Sequence, residues 1–197
     1  MGGRQIKSTN IIFAGVGGQG VLLVSRILGN VLLRQNYDFK SFEVHGMSQR
    51  GGAVAVHVRF GENVFSPFIE EGTADYLVAF EQLEALRNLS FVKPGGKVIT
   101  CTQQVQTIAT QIGKERYPND CIAMLQMSNA EVTVLDAIEI AKKCGDEKTL
   151  NMALLGFLGR ELGLLEKDFY YAIDLFVKEK YKDVNKCALT TGYCMKI

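Results

Sequence analysis

Short apolar runs alternating with stretches of helical periodicity place this 197-residue chain in the α/β class. Three segments carry that assignment. Thr9–Ala14 is a compact apolar run that ends in glycines, the pattern of a strand buried on both faces of a parallel sheet. Val21–Asn36 places apolar residues at 21, 24, 27, 28, 31 and 32, a helical stripe. Ala53–Phe60 alternates, with Val54, Val56, Val58 and Phe60 on one face and Ala53, His57 and Arg59 on the other. The expected architecture is a three-layer α/β/α domain over residues 1–197, with a mixed, mostly parallel sheet, a Rossmann-like opening and a helical C-terminal portion.

The remaining elements follow from punctuation. Phe39–Val44 predicts a second strand, and Gly61-Glu-Asn a turn leading to a strand over Val64–Phe68. Ala74–Phe80 is a further core strand, followed by a helix over Gln82–Asn88. Lys93-Pro-Gly-Gly is a turn feeding a strand at Lys97–Cys101. A short helix is expected at Val105–Ile112 and a strand at Cys121–Met127. Val134–Lys143 predicts a helix, because Lys142, Lys143 and Gly145 form a C-terminal signature. Leu150–Leu162, stopped by Gly163, and Lys167–Lys180 predict two more. Ala153, Gly156 and Gly159, spaced by three, leave room for another backbone. Tyr181–Ile197 is expected as a C-terminal arm.

Composition excludes several classes. Hydrophobic residues make up 47% and charged residues 22%, and the net charge of +1 offers no field for nucleic acid or an anionic membrane. No apolar run approaches the roughly 18 residues of a membrane span, and no leader pattern follows Met1, so a cytoplasmic location is expected. Cys101, Cys121, Cys144, Cys187 and Cys194 are scattered without any CxxC spacing, so they are expected as isolated reduced thiols. With only His45 and His57 as histidines, no metal site is predicted.

Two constellations are candidates for chemistry. Gly15-Val-Gly-Gly-Gln-Gly fits GxGxxG at Gly15, Gly17 and Gly20, between a strand and a helix. Glycines there let the chain turn tightly and bring amides toward a phosphate at the helix N-terminus. Glu43 stands where a ribose-binding acid would be expected. Three readings stay open for this loop: a tight turn without ligand, a phosphate site, and an NAD site in an independent dehydrogenase or regulator domain. Against NAD, only His45–Gly52 joins the second strand to the next, with no crossover helix, so those two strands should pair antiparallel. The second constellation is that loop itself, His45-Gly-Met-Ser-Gln-Arg-Gly-Gly. Gly46, Gly51 and Gly52 free the backbone around the polar Ser48, Gln49 and Arg50. Arg50 suits a carboxylate or phosphate, His45 suits a general acid, and a plain connecting loop remains the alternative. His57, within a strand, is expected to be structural. No thiamine motif, catalytic triad or P-loop occurs.

Together, Phe13-Ala-Gly-Val-Gly-Gly-Gln-Gly-Val and Phe42-Glu-Val-His-Gly-Met-Ser-Gln-Arg-Gly-Gly, followed by the alternating strand, resemble the gamma-type domain of the 2-oxoacid:ferredoxin oxidoreductases. The second loop is most similar to that of indolepyruvate:ferredoxin oxidoreductase beta subunits. The resemblance implies a subunit, inactive alone, of a heteromeric enzyme of anaerobic metabolism that oxidatively decarboxylates a 2-oxoacid with coenzyme A and reduces ferredoxin. It implies thiamine diphosphate and [4Fe-4S] clusters on partner subunits, and coenzyme A as co-substrate. The site it suggests is made of Gly15, Gly17, Gly18, Gln19 and Gly20 with His45, Gly46, Met47, Ser48, Gln49, Arg50, Gly51 and Gly52.

Overall fold

The computed structural model describes residues 8–45, 52–106 and 116–196, with His45 as backbone only. Six strands form one sheet: β1 (Thr9–Val16), β2 (Asp38–His45), β3 (Ala53–Gly61), β4 (Ala74–Ala79), β5 (Val92–Cys101) and β6 (Glu131–Leu135), in the order β2-β3-β1-β4-β5-β6. β1, β4, β5 and β6 pair in parallel, while β3 runs antiparallel to both β1 and β2. The sheet is therefore mixed and mostly parallel, as expected. The helices are α1 (Val21–Arg34), α2 (Gln82–Arg87), α3 (Cys121–Gln126), α4 (Ala137–Cys144), α5 (Leu150–Glu161), α6 (Glu166–Phe176) and α7 (Lys182–Cys194).

Central β1 shows why the sheet needs cover on both sides. Its side chains alternate between two cores: Ile11 and Phe13 enter the larger one under α1 and the C-terminal helices, and Ile12 and Ala14 enter the smaller one with Leu77, Ala85 and Leu125. All four are fully buried, so both faces exclude water and the three layers follow. His57 of β3 lies on the second face and is 4% exposed, among the rings of Phe42, Phe68 and Phe91. Its Nδ1 accepts the Ile69 N–H at 3.3 Å, and burial lowers its pKa. It is a structural histidine.

Several elements differ from expectation. Val64–Phe68 is not a strand. Pro67 lacks the N–H a ladder needs, and side chains hold this segment instead. Asp38 accepts the Val64 N–H at 2.8 Å, and the Arg59 guanidinium donates to the carbonyls of Ser66 at 3.1 Å and Phe68 at 3.3 Å. Cys121–Met127 is helical rather than extended, because only Cys121 and Leu125, four residues apart, face the core. The helix expected over Val134–Lys143 divides. β-Branched Val132, Thr133 and Val134 lie in β6, and Asp136 then caps α4 by accepting the Glu139 N–H at 3.4 Å. Gly145, at φ 104°, ends that helix as its lysines and glycine predict. The helix proposed at Val105–Ile112 falls largely outside the described residues; Val105 and Gln106 themselves are not helical.

The segment expected as an arm folds into α7, which docks on α5. A Cβ on Gly156 would stand 2.0 Å from the Leu189 carbonyl oxygen, and one on Gly192 would stand 1.9 Å from that of Ala153. The glycine spacing in α5 thus serves close backbone approach, as its pattern predicts, while Gly159 instead accommodates the Phe169 ring. The cysteines also require a correction, since they are not all free thiols. Cys144 and Cys187 form a disulfide, whereas Cys101, Cys121 and Cys194 are free. With the bonded pair separated by 43 positions in the sequence, only helix docking reveals that they are neighbours.

Candidate functional site at the carboxyl ends of the parallel strands

β1 ends at Val16, and the turn that follows is fixed by backbone geometry. Gly18 (φ 100°) and Gly20 (φ 77°) occupy the left-handed region, which L side chains avoid. Gly20 is the N-cap of α1, so no side chain caps that helix, and its first turn holds no acidic residue. Gly17 and Gly18 are exposed. The loop thus presents accessible backbone beside the positive end of a 14-residue helix dipole, which favours an anionic group.

The two sequence constellations meet here. Val16 pairs with Ala53 and His45 with Val54, so the loop between β2 and β3 leaves the sheet at the same end as the glycine turn. The Gly17 N–H donates to the Gly52 carbonyl at 2.9 Å and links the two directly. Gly46, Met47, Ser48, Gln49, Arg50 and Gly51 lie outside the described residues, as does the His45 side chain.

Gln19 is occupied in holding the site together. Its Oε1 accepts the Val16 N–H at 2.7 Å, and its Nε2 donates to the Phe80 carbonyl at 3.0 Å and to Gln103 Oε1 at 2.7 Å. One side chain thereby joins the ends of β1 and β4 to the segment after β5. At Gly15 a Cβ would lie 2.9 Å from Gln19 Oε1 and 3.3 Å from Phe80, so the glycine there makes room for those side chains.

Sequence reasoning missed Asn151. It is 4% exposed, its Nδ2 donates to the Gln19 carbonyl at 2.9 Å, and its Oδ1 is buried without a partner. An asparagine in the first turn of the otherwise apolar Leu-Asn-Met-Ala-Leu-Leu run was the available signal. Beside it, a cavity of about 370 Å³ is bounded by Gly18, Gly20, Lys148, Lys178, Tyr181 and Asn185. Both lysines are exposed, so they add positive charge to the rim of the same cavity.

A buried carboxylate after β4, Glu81, is 1% exposed but committed to structure. It caps α2 by accepting the Glu84 N–H at 2.9 Å, and it also accepts the Val105 N–H at 3.2 Å and the Tyr117 hydroxyl. Burial and that carboxylate together push the Tyr117 pKa far up, so its hydroxyl remains protonated and donating. The cysteines do not fit an iron–sulfur cluster. Two are bonded to each other, and the buried Cys101 has its thiol pKa pushed up to about 11. Among the described residues, no group of three or more His, Cys, Asp or Glu is placed to hold a metal ion. No helix among them is long and apolar enough to cross a membrane.

The NAD reading fails on topology. A dinucleotide fold sets its ribose-binding acid on the strand next to β1, whereas here β3 separates β2, and with it Glu43, from β1. Two strand spacings, about 10 Å, then lie between the glycine loop's strand and the strand that bears that acid.

Comparison with known proteins agrees with this geometry. The chain is 36% identical over 192 residues to indolepyruvate oxidoreductase subunit IorB of Thermococcus kodakarensis, covering 95% of each chain. It is 37% identical over 191 residues to the IorB subunit of Archaeoglobus fulgidus, covering 93% of each. Among solved structures, the gamma subunit of a keto/oxoacid ferredoxin oxidoreductase from Geobacter sulfurreducens shares the fold, with TM-score 0.70 and 22% identity over 94% of this chain and 96% of that one. The pyruvate ferredoxin/flavodoxin oxidoreductase family model matches residues 10–195, and the chain belongs to that family.

Proposed function

We propose that this chain is the gamma-type subunit, a single domain over residues 1–197, of a cytoplasmic heteromeric 2-oxoacid:ferredoxin oxidoreductase acting on indolepyruvate or another aryl pyruvate. Similarity along nearly the whole of two IorB subunits supports the substrate class. Thiamine diphosphate, which supplies the decarboxylation chemistry, and the [4Fe-4S] clusters, which carry electrons to ferredoxin, belong to partner subunits in this reading. The partner is thus a thiamine- and cluster-bearing protein, and no nucleic acid or membrane is involved.

The chain's own contribution is to the coenzyme A side of the reaction. The observation that carries this is the Gly17–Gly52 hydrogen bond, which unites both glycine-rich segments at the exposed N-terminus of α1. Backbone amides there suit a phosphate, and Arg50 suits a second phosphate or the 2-oxoacid carboxylate. Gln19 and Asn151 are positioning residues: they fix the loop and leave its exposed backbone to the ligand.

Co-expression with the partner subunit, affinity purification and assay against a panel of 2-oxoacids tests the reading. The lone chain should be colourless and should not reduce a viologen dye; the complex should, in a reaction dependent on coenzyme A. Iron–sulfur absorbance in the folded lone chain would refute it. Arg50→Ala should leave the lone chain's stability within about 0.5 kcal/mol. In the complex it should weaken assembly or turnover by on the order of 2–5 kcal/mol. If assembly, turnover and both apparent affinities are unchanged, the loop is a connector only.

A further inference from the structure

We propose that the Cys144–Cys187 disulfide is a redox latch on the cavity beside the glycine loop; that this cavity serves the coenzyme A side rests on the function proposed above. The bond joins the C-terminus of α4 to α7. From Cys144 the chain turns through Gly145 into the segment holding Asp146, Lys148 and Thr149, one wall of the cavity. That segment leads to Asn151, whose amide holds the Gln19 carbonyl of the glycine loop. Cys187 lies on α7, close in sequence to Tyr181 and Asn185, which also line the cavity. The disulfide therefore ties together two chain segments that both line the cavity.

The two halves of α7 are held differently. Its C-terminal half meets α5 backbone to backbone, at Leu189 against Gly156 and at Gly192 against Ala153. The N-terminal half has ion pairs to Asp174 of α6, from Lys186 at 2.6 Å and Lys182 at 4.0 Å. Asp174 is 45% exposed, so water and salt weaken both pairs. The disulfide is the one covalent tie on that half. Cys187 is exposed and can be attacked.

The switching step is thiol–disulfide exchange with a dithiol reductant. A thiolate of the reductant attacks Sγ of Cys187, the sulfur–sulfur bond breaks, and Cys144 leaves as a thiolate. The reductant's second thiol then displaces Cys187. The protein gains two electrons and two protons, and the dithiol becomes a disulfide. Reduction leaves the segment 181–187 free to move from the segment 146–151, and through Asn151 it loosens the glycine loop.

Hydrogen exchange of the full chain, oxidised and in dithiothreitol, tests the latch alongside Cys187→Ser. Reduction should speed exchange at least tenfold across 146–151 and 181–187 while leaving 153–159 and 189–193 unchanged. Cys187→Ser should show the reduced pattern in both conditions. Identical exchange in both states would overturn the proposal, and so would five titratable thiols in the oxidised, unfolded chain. Faster exchange throughout α5, α6 and α7 would also overturn it, making the bond a structural staple. In the assembled enzyme, reduction should raise the apparent KM for coenzyme A in the wild type but not in Cys187→Ser. If exchange switches and that KM does not, the latch stands and the coenzyme A assignment fails.

Discussion

Replacing Gly20 with alanine separates backbone strain from packing at the start of α1. The residue sits at φ 77°, and a left-handed conformation costs a non-glycine residue about 1–2 kcal/mol. The new Cβ would also lie 2.4 Å from Asn151 Nδ2, so that amide must withdraw and break its 2.9 Å bond to the Gln19 carbonyl. Leaving the carbonyl without its buried donor costs about 1–2 kcal/mol more. The sum, about 2–4 kcal/mol, corresponds to a fall in Tm of about 5–15 °C for a chain of this size. Gly18→Ala is the internal control: φ is 100° but nothing lies within 4 Å of its Cβ, so only strain applies. An Asn151→Ala background removes the colliding amide, and there Gly20→Ala should cost no more than Gly18→Ala. Urea denaturation of the four variants, arranged as a double-mutant cycle, should give a coupling of about 1–2 kcal/mol. Equal losses for Gly18→Ala and Gly20→Ala in the native background, or a coupling near zero, would refute the assigned role of Asn151.

His57 should make stability fall in mild acid. Burial lowers its folded pKa below the unfolded value of 6.5, so its contribution is complete above about pH 6.5. It is lost as pH falls from there toward the folded pKa, where protonation also removes the acceptor for the Ile69 N–H. His57→Gln should flatten that part of a stability–pH profile; an unchanged slope would locate the dependence elsewhere. Gly192→Ala should prevent α7 from docking, because 1.9 Å from a carbonyl oxygen cannot be relieved by rotamer change. A loss above about 4 kcal/mol or insoluble protein is expected, and a Tm within a few degrees of wild type would contradict it. In the native oxidised chain, thiol titration should find Cys194 reacting first, since it is exposed while Cys101 and Cys121 are buried. Cys101, with its pKa pushed up to about 11, should react only on unfolding. Two or more fast thiols would refute this order.

Local pattern was enough to locate β1, α1, β3, β4 and α5, because each has a period set by its own backbone: Ile11–Ala14 buried on both sides, Val21–Leu32 on one stripe, Val54–Phe60 alternating. The antiparallel β2–β3 pair was legible from the shortness of His45–Gly52 alone. The glycine turn was legible as a tight turn between strand and helix, while which of its glycines take positive φ, Gly18 and Gly20 but not Gly17, was decided by the structure. Pairing across distance was not. That β3 inserts between β1 and β2 and so separates Glu43 from the glycine loop is a property of the sheet, and no local period encodes it. Asn151 reaches Gln19 across 132 residues, and Cys144 meets Cys187 only because α7 docks on α5 through Gly156 and Gly192. Periodicity records which face of an element is apolar. Which element covers that face, and which side chains meet there, is decided by the packing of the whole chain.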